Sequence, residues 1–513
     1  MEIKNRNKKI FVVEMILIVL IIVLVSIFIF INLFRYKQGL NADVAAEGLL
    51  AKEIWDTKQW IPDTWYTSTE TKIISTANWS ALFYGLTGSM CQAMGWGCIL
   101  GMFFLLLSVG YFANVLKFNG IQKLLLIALC LLLPNSLAEI QMIYTHASYY
   151  VVYLTLFFLT LGWYVCLLKN EQKIWGISAL VYMLHFLVGA QGVRGILIVS
   201  GPLIALEMIR RMYLVYREKK IDKQEHRITI AVLFTLIIGF VGCQLPFSIG
   251  QSMSRNIRNA PAKFVNQILP QFMDTMVWKQ ISIIEKISVV ICLVIVLGLS
   301  MSILIKGIKR ENIKLEEWCY LMCVLSVALT AMALTFTTVE SSSRYYILIF
   351  FAMAMALVIL WERRLLYRWI IIAIIVITFA GNIVRVYIPA MKKETYPKNP
   401  SLQVAEYLEQ HGYEYGYTTF DNANYMTVAI DGEVQIAAVN SMSTIEVTKW
   451  LTSVNWYVPN APYEVKTAYI VTEMKHDEFM KFYEQHKNEI AFDTKIGMYY
   501  IYSSNYNYSK LAD

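Results

Sequence analysis

Runs of about 20 apolar residues recur along this chain, and that length is what a helix needs to cross the hydrocarbon core of a bilayer. About eleven such windows fall near 11–33, 80–107, 121–138, 148–168, 174–190, 194–210, 228–249, 286–306, 316–338, 344–361 and 368–389. In lipid every backbone amide must find its partner inside the segment, so these windows are predicted to be helices. Composition agrees, since 57% of the 513 residues are hydrophobic and only 16% are charged. The predicted fold class is a polytopic α-helical membrane protein with about eleven transmembrane helices, followed by a small α/β domain. From about Ala390 the chain turns polar and holds no further apolar window. Two domains follow: a multi-pass domain over 1–389, with a long polar first loop over about 34–79, and a soluble domain over 390–513.

Lys4, Arg6, Lys8 and Lys9 precede the first window in the manner of a signal peptide. The apolar stretch then runs on to Phe34, too long for a signal core, and no small-residue cleavage site follows. A retained helix is expected.

Basic residues set the expected orientation. With the N-terminus in the cytoplasm, inner loops carry Lys117 and Lys123, Lys169 and Lys173, the run RRMYLVYREKKIDKQEHR, KGIKR with Lys314, and ERRLLYR. Short outer turns hold little that is basic beyond Arg194 and Arg344, which is the positive-inside asymmetry. An odd number of spans then puts the C-terminal domain outside the plasma membrane, on the same side as the first loop. The net charge of +8 is explained by anionic inner-leaflet lipid and needs no nucleic acid. The eight cysteines fall in or beside spans, with no metal spacing and no disulfide framework, which suits a Gram-positive surface. Nor do the six histidines show an HxxxH or HExxH pattern.

The polar C-terminal region reads as a compact sheet with helices. SLQVAEYLEQHG is an amphipathic helix ending at Gly412, and YGYTTF and EVQIAAV are strands around the turn-prone Asp431-Gly432. KTAYIVTEM is a strand, DEFMKFYEQHK a helix, and IAFDTKIGMYYIYSS a strand or hairpin. Its many tyrosines could stack on sugars, but packing is the plainer reading.

The first loop is the richest in chemistry. Asp43 and Glu47 stand four residues apart in a short helical pattern, and Trp55, Trp60, Trp65 and Tyr66 follow as side chains that favour the water–lipid boundary. Further polar residues sit at the expected outer ends of spans: Glu139 and His146, Gln191 and Arg194, Arg255, Arg258 and Lys263, and Glu340 and Arg344. An acid and several cations on one membrane face suit the transfer of a sugar carried on a polyprenyl phosphate. The departing phosphate needs cations, and the attacking hydroxyl needs a base.

The pattern D43xxxE47xLLAxEI…QWIPDTWYTSTE, the HASYY stretch, GVRGILIVSGPL and SSSRYYI resemble bacterial glycosyltransferases of the GT-C superfamily. They are most similar to Gram-positive members with a C-terminal extracellular domain, and VAEYLEQHGYEYGYTTFDNANYMTVAIDGEVQIAAV resembles the opening of that domain. The resemblance implies a polyprenyl-phosphate-sugar donor, an extracytoplasmic active site, inverting transfer, and Asp43 as catalytic base. Many members of that superfamily have two adjacent acids here. Position 44 is Val in this chain, so the second carboxylate is Glu47 or comes from elsewhere, such as Glu139, and whether a divalent cation (Mg or Mn) takes part stays open.

The candidate site is then Asp43, Glu47 and Glu139 as catalytic acids, with His146, Arg194, Arg344, Tyr66 and Glu70 binding substrate. Each has a plainer role. Asp43 could cap a short helix, Glu47 could pair with a lysine, Glu139 and His146 could satisfy loop amides, and the two arginines could anchor span ends to headgroups. Tyr66 and Glu70 are placed along the path of the acceptor, which would be a surface glycan, a teichoic-acid-like polymer or a protein. Two other functions share some of these features. A Wzy-type polysaccharide polymerase also has many spans and outer arginines, but centres its chemistry on large middle loops. A lipid-linked sugar flippase or transporter predicts charges at span centres, and none of the windows has one.

Overall fold

The computed structural model describes residues 2–171, 174–218, 223–245, 257–392, 399–457 and 466–508, and the side chains of all of these beyond residue 9. Lys173, residues 219–222 of the basic run, and Arg255 lie outside the described residues, as do the side chains of Lys4, Arg6, Lys8 and Lys9.

Among the described residues eight helices are long and apolar enough to cross a membrane: Ile10–Phe34, Met90–Val115, Val151–Leu168, Lys223–Cys243, Ile283–Ile308, Leu315–Thr335, Ser343–Trp361 and Leu365–Met391. A ninth is reached if the pair Gly120–Leu132 and Leu137–Ile143, bent by 119°, makes one span. The difference from eleven windows has local causes. Window 174–190 is a helix of only 17 residues, Trp175–Gln191. Window 194–210 is a π-helical turn, Ile196–Ser200, that runs on into Gly201–Glu218. There Glu207 and Arg210 are buried together, and Glu207 accepts hydrogen bonds from Tyr164 and Thr229. Window 80–107 is cut at Gly88, whose φ of +67° closes the helix Thr76–Thr87 before Met90–Val115 begins.

The chain divides into two compact units. One comprises Met1–Ile29, Leu100–Tyr144 and Ser148–Ala390; the other comprises Phe30–Ile99, Thr145–Ala147 and Met391–Asp513.

In the first unit the helix Leu348–Trp361 is buried along its whole length, as an all-apolar helix must be when it forms the centre of a bundle. The break between Leu132 and Leu137 follows from Pro134, which has no N–H and cannot continue a helix. The carbonyls it frees are satisfied from another helix. Asn382 donates to the carbonyls of Leu132 (2.9 Å) and Pro134 (3.2 Å), and Arg385 donates to that of Asn135 (2.8 Å). A broken helix survives away from water only with such partners.

In the second unit the C-terminal region forms a sheet. With β1 (Trp65–Tyr66), β2 (Tyr415–Thr418), β3 (Gln435–Ser441), β4 (Glu446–Val447), β5 (Thr452–Ser453), β6 (Thr467–Thr472), β7 (Ile490–Ile496) and β8 (Tyr499–Ser504), the six-stranded order is β4-β3-β2-β6-β8-β7. Strand β2 runs parallel to both β3 and β6. Both strands expected around Asp431-Gly432 are present and pair, but their connection is more than a turn: a helix, Phe420–Ala429, crosses from β2 to β3, and the turn follows that helix. A parallel pair requires such a crossover. Alternation along β6 sends Ala468 and Ile470 into one apolar core and Tyr469 and Val471 into the other, so both faces of the sheet are covered.

This sheet does not stand alone within its unit. Strand β1, from the first loop, pairs antiparallel with β5 (Trp65 opposite Ser453). The helix Ala42–Thr57 packs on Phe420–Ala429. Glu53 accepts hydrogen bonds from Thr64 (2.5 Å) and Ser453 (2.9 Å), and Lys37 donates to the Ala429 carbonyl at 2.9 Å. Asp431 accepts from the Ser89 hydroxyl (3.0 Å) and the Met90 amide (3.1 Å), capping the start of Met90–Val115.

Losing a helix cap costs about 0.5–2 kcal/mol. Asp431→Ala should therefore loosen the C-terminal region, so that limited proteolysis cleaves it at a lower protease concentration than in the wild type. Equal resistance would show that this cap contributes nothing to docking.

Candidate functional site

Asn41, not Asp43, caps the helix Ala42–Thr57: its side chain accepts from the Val44 amide at 2.9 Å. Asp43 lies in the first turn with an exposed side chain. Among the described residues its carboxylate takes part in no hydrogen bond or ion pair. The partial positive charge of the helix N-terminus favours an anion there.

One turn on, Glu47 is buried (4% exposed) and paired with Lys72 at 3.1 Å. Burial raises its pKa, Lys72 opposes that rise, and Asp43 and Glu70 add to it. Glu47 thus feels the charges of Asp43, Glu70 and Lys72, and three of these four residues were expected from the sequence. Lys72 was missed; its only signal is its place beside Glu70 in TETK. Within this cluster the Lys72 ammonium already pairs with the buried Glu47 carboxylate. Among the described residues no three His, Cys, Asp or Glu side chains gather closely enough to hold a metal. Tyr66 belongs to β1, and it packs against the aromatic core that contains Tyr417, Tyr457 and Tyr469.

His146 falls in the same unit, in the segment Thr145–Ala147. It is 2% exposed and takes a left-handed backbone (φ +56°), rare for a side chain with a Cβ. Its amide donates to Asn32 Oδ1 at 3.2 Å, its carbonyl accepts from the Cys98 thiol, and its ring lies 5.1 Å from that of Tyr36. Burial pulls the imidazole pKa down to about 4, against a weaker opposing contribution from the Tyr36 backbone.

The remaining candidates belong to the first unit. Glu139 is 4% exposed in the short helix Leu137–Ile143, where the Ser136 hydroxyl donates to it and Arg385 is the nearby cation. Arg385 itself pairs with Glu285 at 2.5 Å. It was missed because one arginine at the end of a strongly apolar window looks like a headgroup anchor.

Arg194 and Arg344 are brought together around one ring. Their guanidinium carbons lie 5.8 and 5.6 Å from the centroid of Tyr345, and Arg194 is also 5.6 and 5.8 Å from Tyr150 and Tyr153. The Nε of Arg344 is buried without a hydrogen-bond partner among the described residues. Beside it is a polar pocket of about 650 Å³ lined by Thr338–Ser342, Arg344 and Tyr345. Lys263 shapes this wall by donating to the carbonyls of Thr337 (2.7 Å) and Val339 (2.6 Å). At Thr337 a second pocket begins, about 620 Å³ and almost wholly apolar, lined by Ile196, Leu197, Pro202, Leu329, Met332 and Phe336 among others. An apolar pocket and a polar one, lined from the consecutive residues Thr337 and Thr338, with two arginines at the polar one, suit an amphiphile with an anionic head.

No protein-family model matches this chain, and no curated protein matches it. Solved structures do. The crystal structure of ArnT from Cupriavidus metallidurans bound to undecaprenyl phosphate is similar with a TM-score of 0.56, over 95% of this chain and 97% of that one, at 10% identity. The apo crystal structure of the Archaeoglobus fulgidus oligosaccharyltransferase is similar with a TM-score of 0.51, over 91% of this chain and 71% of that one, also at 10% identity. At such identity the likeness is one of fold. The chain shares its membrane fold with these two structures over most of its length, in keeping with the polytopic helical fold expected from the sequence.

The histidine supplies a test by pH. Its native pKa (about 4) lies below the ordinary 6.5, so as pH falls the unfolded chain binds the proton first. Its contribution to stability is complete above about 6.5 and is lost as the pH drops from there through about 4. Thermal unfolding of His146→Gln should therefore fall less steeply than the wild type across that window; parallel curves would contradict a buried neutral imidazole.

Proposed function

We propose that this protein moves a sugar from a polyprenyl-phosphate-linked donor to an acceptor hydroxyl, with inversion at the anomeric carbon, on the extracytoplasmic face of the plasma membrane. The observation that carries the reading is an apolar pocket and a polar pocket lined from the consecutive residues Thr337 and Thr338, with Arg344 in the wall of the polar one and Arg194 beside its Tyr345. A polyprenyl chain suits the first and a phosphate the second, and the unsatisfied Arg344 Nε is a donor that an anion would complete. The fold adds weight, since the similar ArnT structure holds undecaprenyl phosphate.

In this mechanism Asp43 is the base. Its carboxylate takes the proton of the acceptor hydroxyl as the oxygen attacks the anomeric carbon from the face opposite the phosphate. The bond from that carbon to the phosphate oxygen breaks, and the electron pair leaves with the phosphate. Arg344 and Arg194 hold the charge that develops there. Glu47 keeps its Lys72 partner and sets the electrostatics of the loop, while Glu70 lies on the acceptor side. The acceptor is a surface glycan, a teichoic-acid-like polymer or a protein.

Asp43→Asn should lower turnover of a short-chain polyprenyl-phosphate sugar by on the order of 10²–10⁴-fold, the usual contribution of a general base, with donor binding kept. Turnover at the wild-type rate would sink the assignment. Losing a hydrogen bond to a charged group costs about 1.5–3 kcal/mol. Arg344→Ala should accordingly raise the donor KM by on the order of 10–100-fold.

A further inference from the structure

His146 and Gly39 meet at a point where almost no space is left. A Cβ built on Gly39 would stand 1.7 Å from His146 Nε2 and 2.4 Å from its two neighbouring ring carbons. Gly39 closes the 3-10 turn Tyr36–Gly39, whose Tyr36 ring leans on the same imidazole. From there the chain has only Leu40 before Asn41, the cap that starts the helix of Asp43. The other side of His146 is fixed as well, by Asn32 at its amide and Cys98 at its carbonyl. The left-handed backbone of His146 (φ +56°) persists because this packing holds it.

We propose that His146 is a positioning residue: its ring, seated on the bare backbone of Gly39, sets the turn from which Asp43 is presented to the acceptor. This gives the histidine a role in the reaction without contact to substrate, which its burial disfavours. It rests on the reading of Asp43 as base.

A double-mutant cycle on the purified protein in lipid tests it, with turnover of a short-chain polyprenyl-phosphate sugar measured per donor-binding site. Donor binding counts the folded molecules, so a residue that merely stabilises the fold would change the number of sites and leave kcat per site alone. His146→Asn tolerates the left-handed backbone but removes the ring, and should lower kcat per site by at least about tenfold with donor KM unchanged. Gly39→Ala should lower kcat per site by on the order of 10²-fold, the cost of a displacement of about 1 Å at the reacting groups. Gly39→Ala with His146→Asn should be no worse than the poorer single variant, because the clash is gone and the two effects are not additive. Wild-type kcat per site in His146→Asn, or strictly additive losses in the double variant, would overturn the proposal; the first applies even if Gly39→Ala does not fold. Asp43→Asn run alongside separates the two ideas. If it retains full turnover, the base assignment has failed; if it is inactive while His146→Asn is not, only the positioning role has failed.

Discussion

The helix Ala42–Thr57 carries the exposed acid Asp43 on one end and is buried along much of its length against Phe420–Ala429 and its own neighbours. That packing is the contact on which the second unit depends. A loop between two membrane helices has no core of its own, and a short helix is marginal in water without a tertiary partner. Here the partner comes from the far end of the chain. Ten of the residues in Ala42–Thr57 are buried, while Asp43 stays outside. The result is a loop helix packed on one side with the Asp43 carboxylate outside that packing.

Charged and polar groups then fix this loop in one register. Asp431 caps Met90–Val115, Lys37 reaches the end of Phe420–Ala429, and Glu53 ties Thr64 to Ser453. Each joins segments that are remote in sequence, and each leaves its buried partner unsatisfied if removed. The pair of Glu47 with Lys72 works similarly: breaking a buried pair costs about 3–5 kcal/mol because the remaining charge is stranded.

How much of this was legible in sequence depended on range. Most of the spans were, because the bilayer demands length and apolarity that the sequence shows directly. Their breaks at Gly88 and Pro134 were written in the chain too, but the surrounding apolar residues masked them. The helix Phe420–Ala429 was missed because FDNANYMTVA alternates small, polar and apolar residues without a clear 3.6-residue stripe. Asn41 as the cap was readable from its type and place, and it frees Asp43 from the role that had competed with catalysis. The partnership of Glu47 with Lys72, and the seat of His146 on Gly39, were beyond reach, since each joins segments whose meeting only the fold decides. Arg194 and Arg344 were singled out from the sequence, but Tyr345, the ring that both flank, was overlooked beside its charged neighbour.

The central claim is that the arginines around Tyr345 receive a lipid phosphate whose tail lies along Ile196–Phe336. A cryo-EM structure of the protein in lipid with a short-chain polyprenyl phosphate tests it most directly. Density for the phosphate within hydrogen-bond reach of Arg344, and for the chain between Pro202 and Met332, is the predicted result. A lipid phosphate bound elsewhere, with the pocket beside Arg344 filled only by water at saturating ligand, would contradict the account.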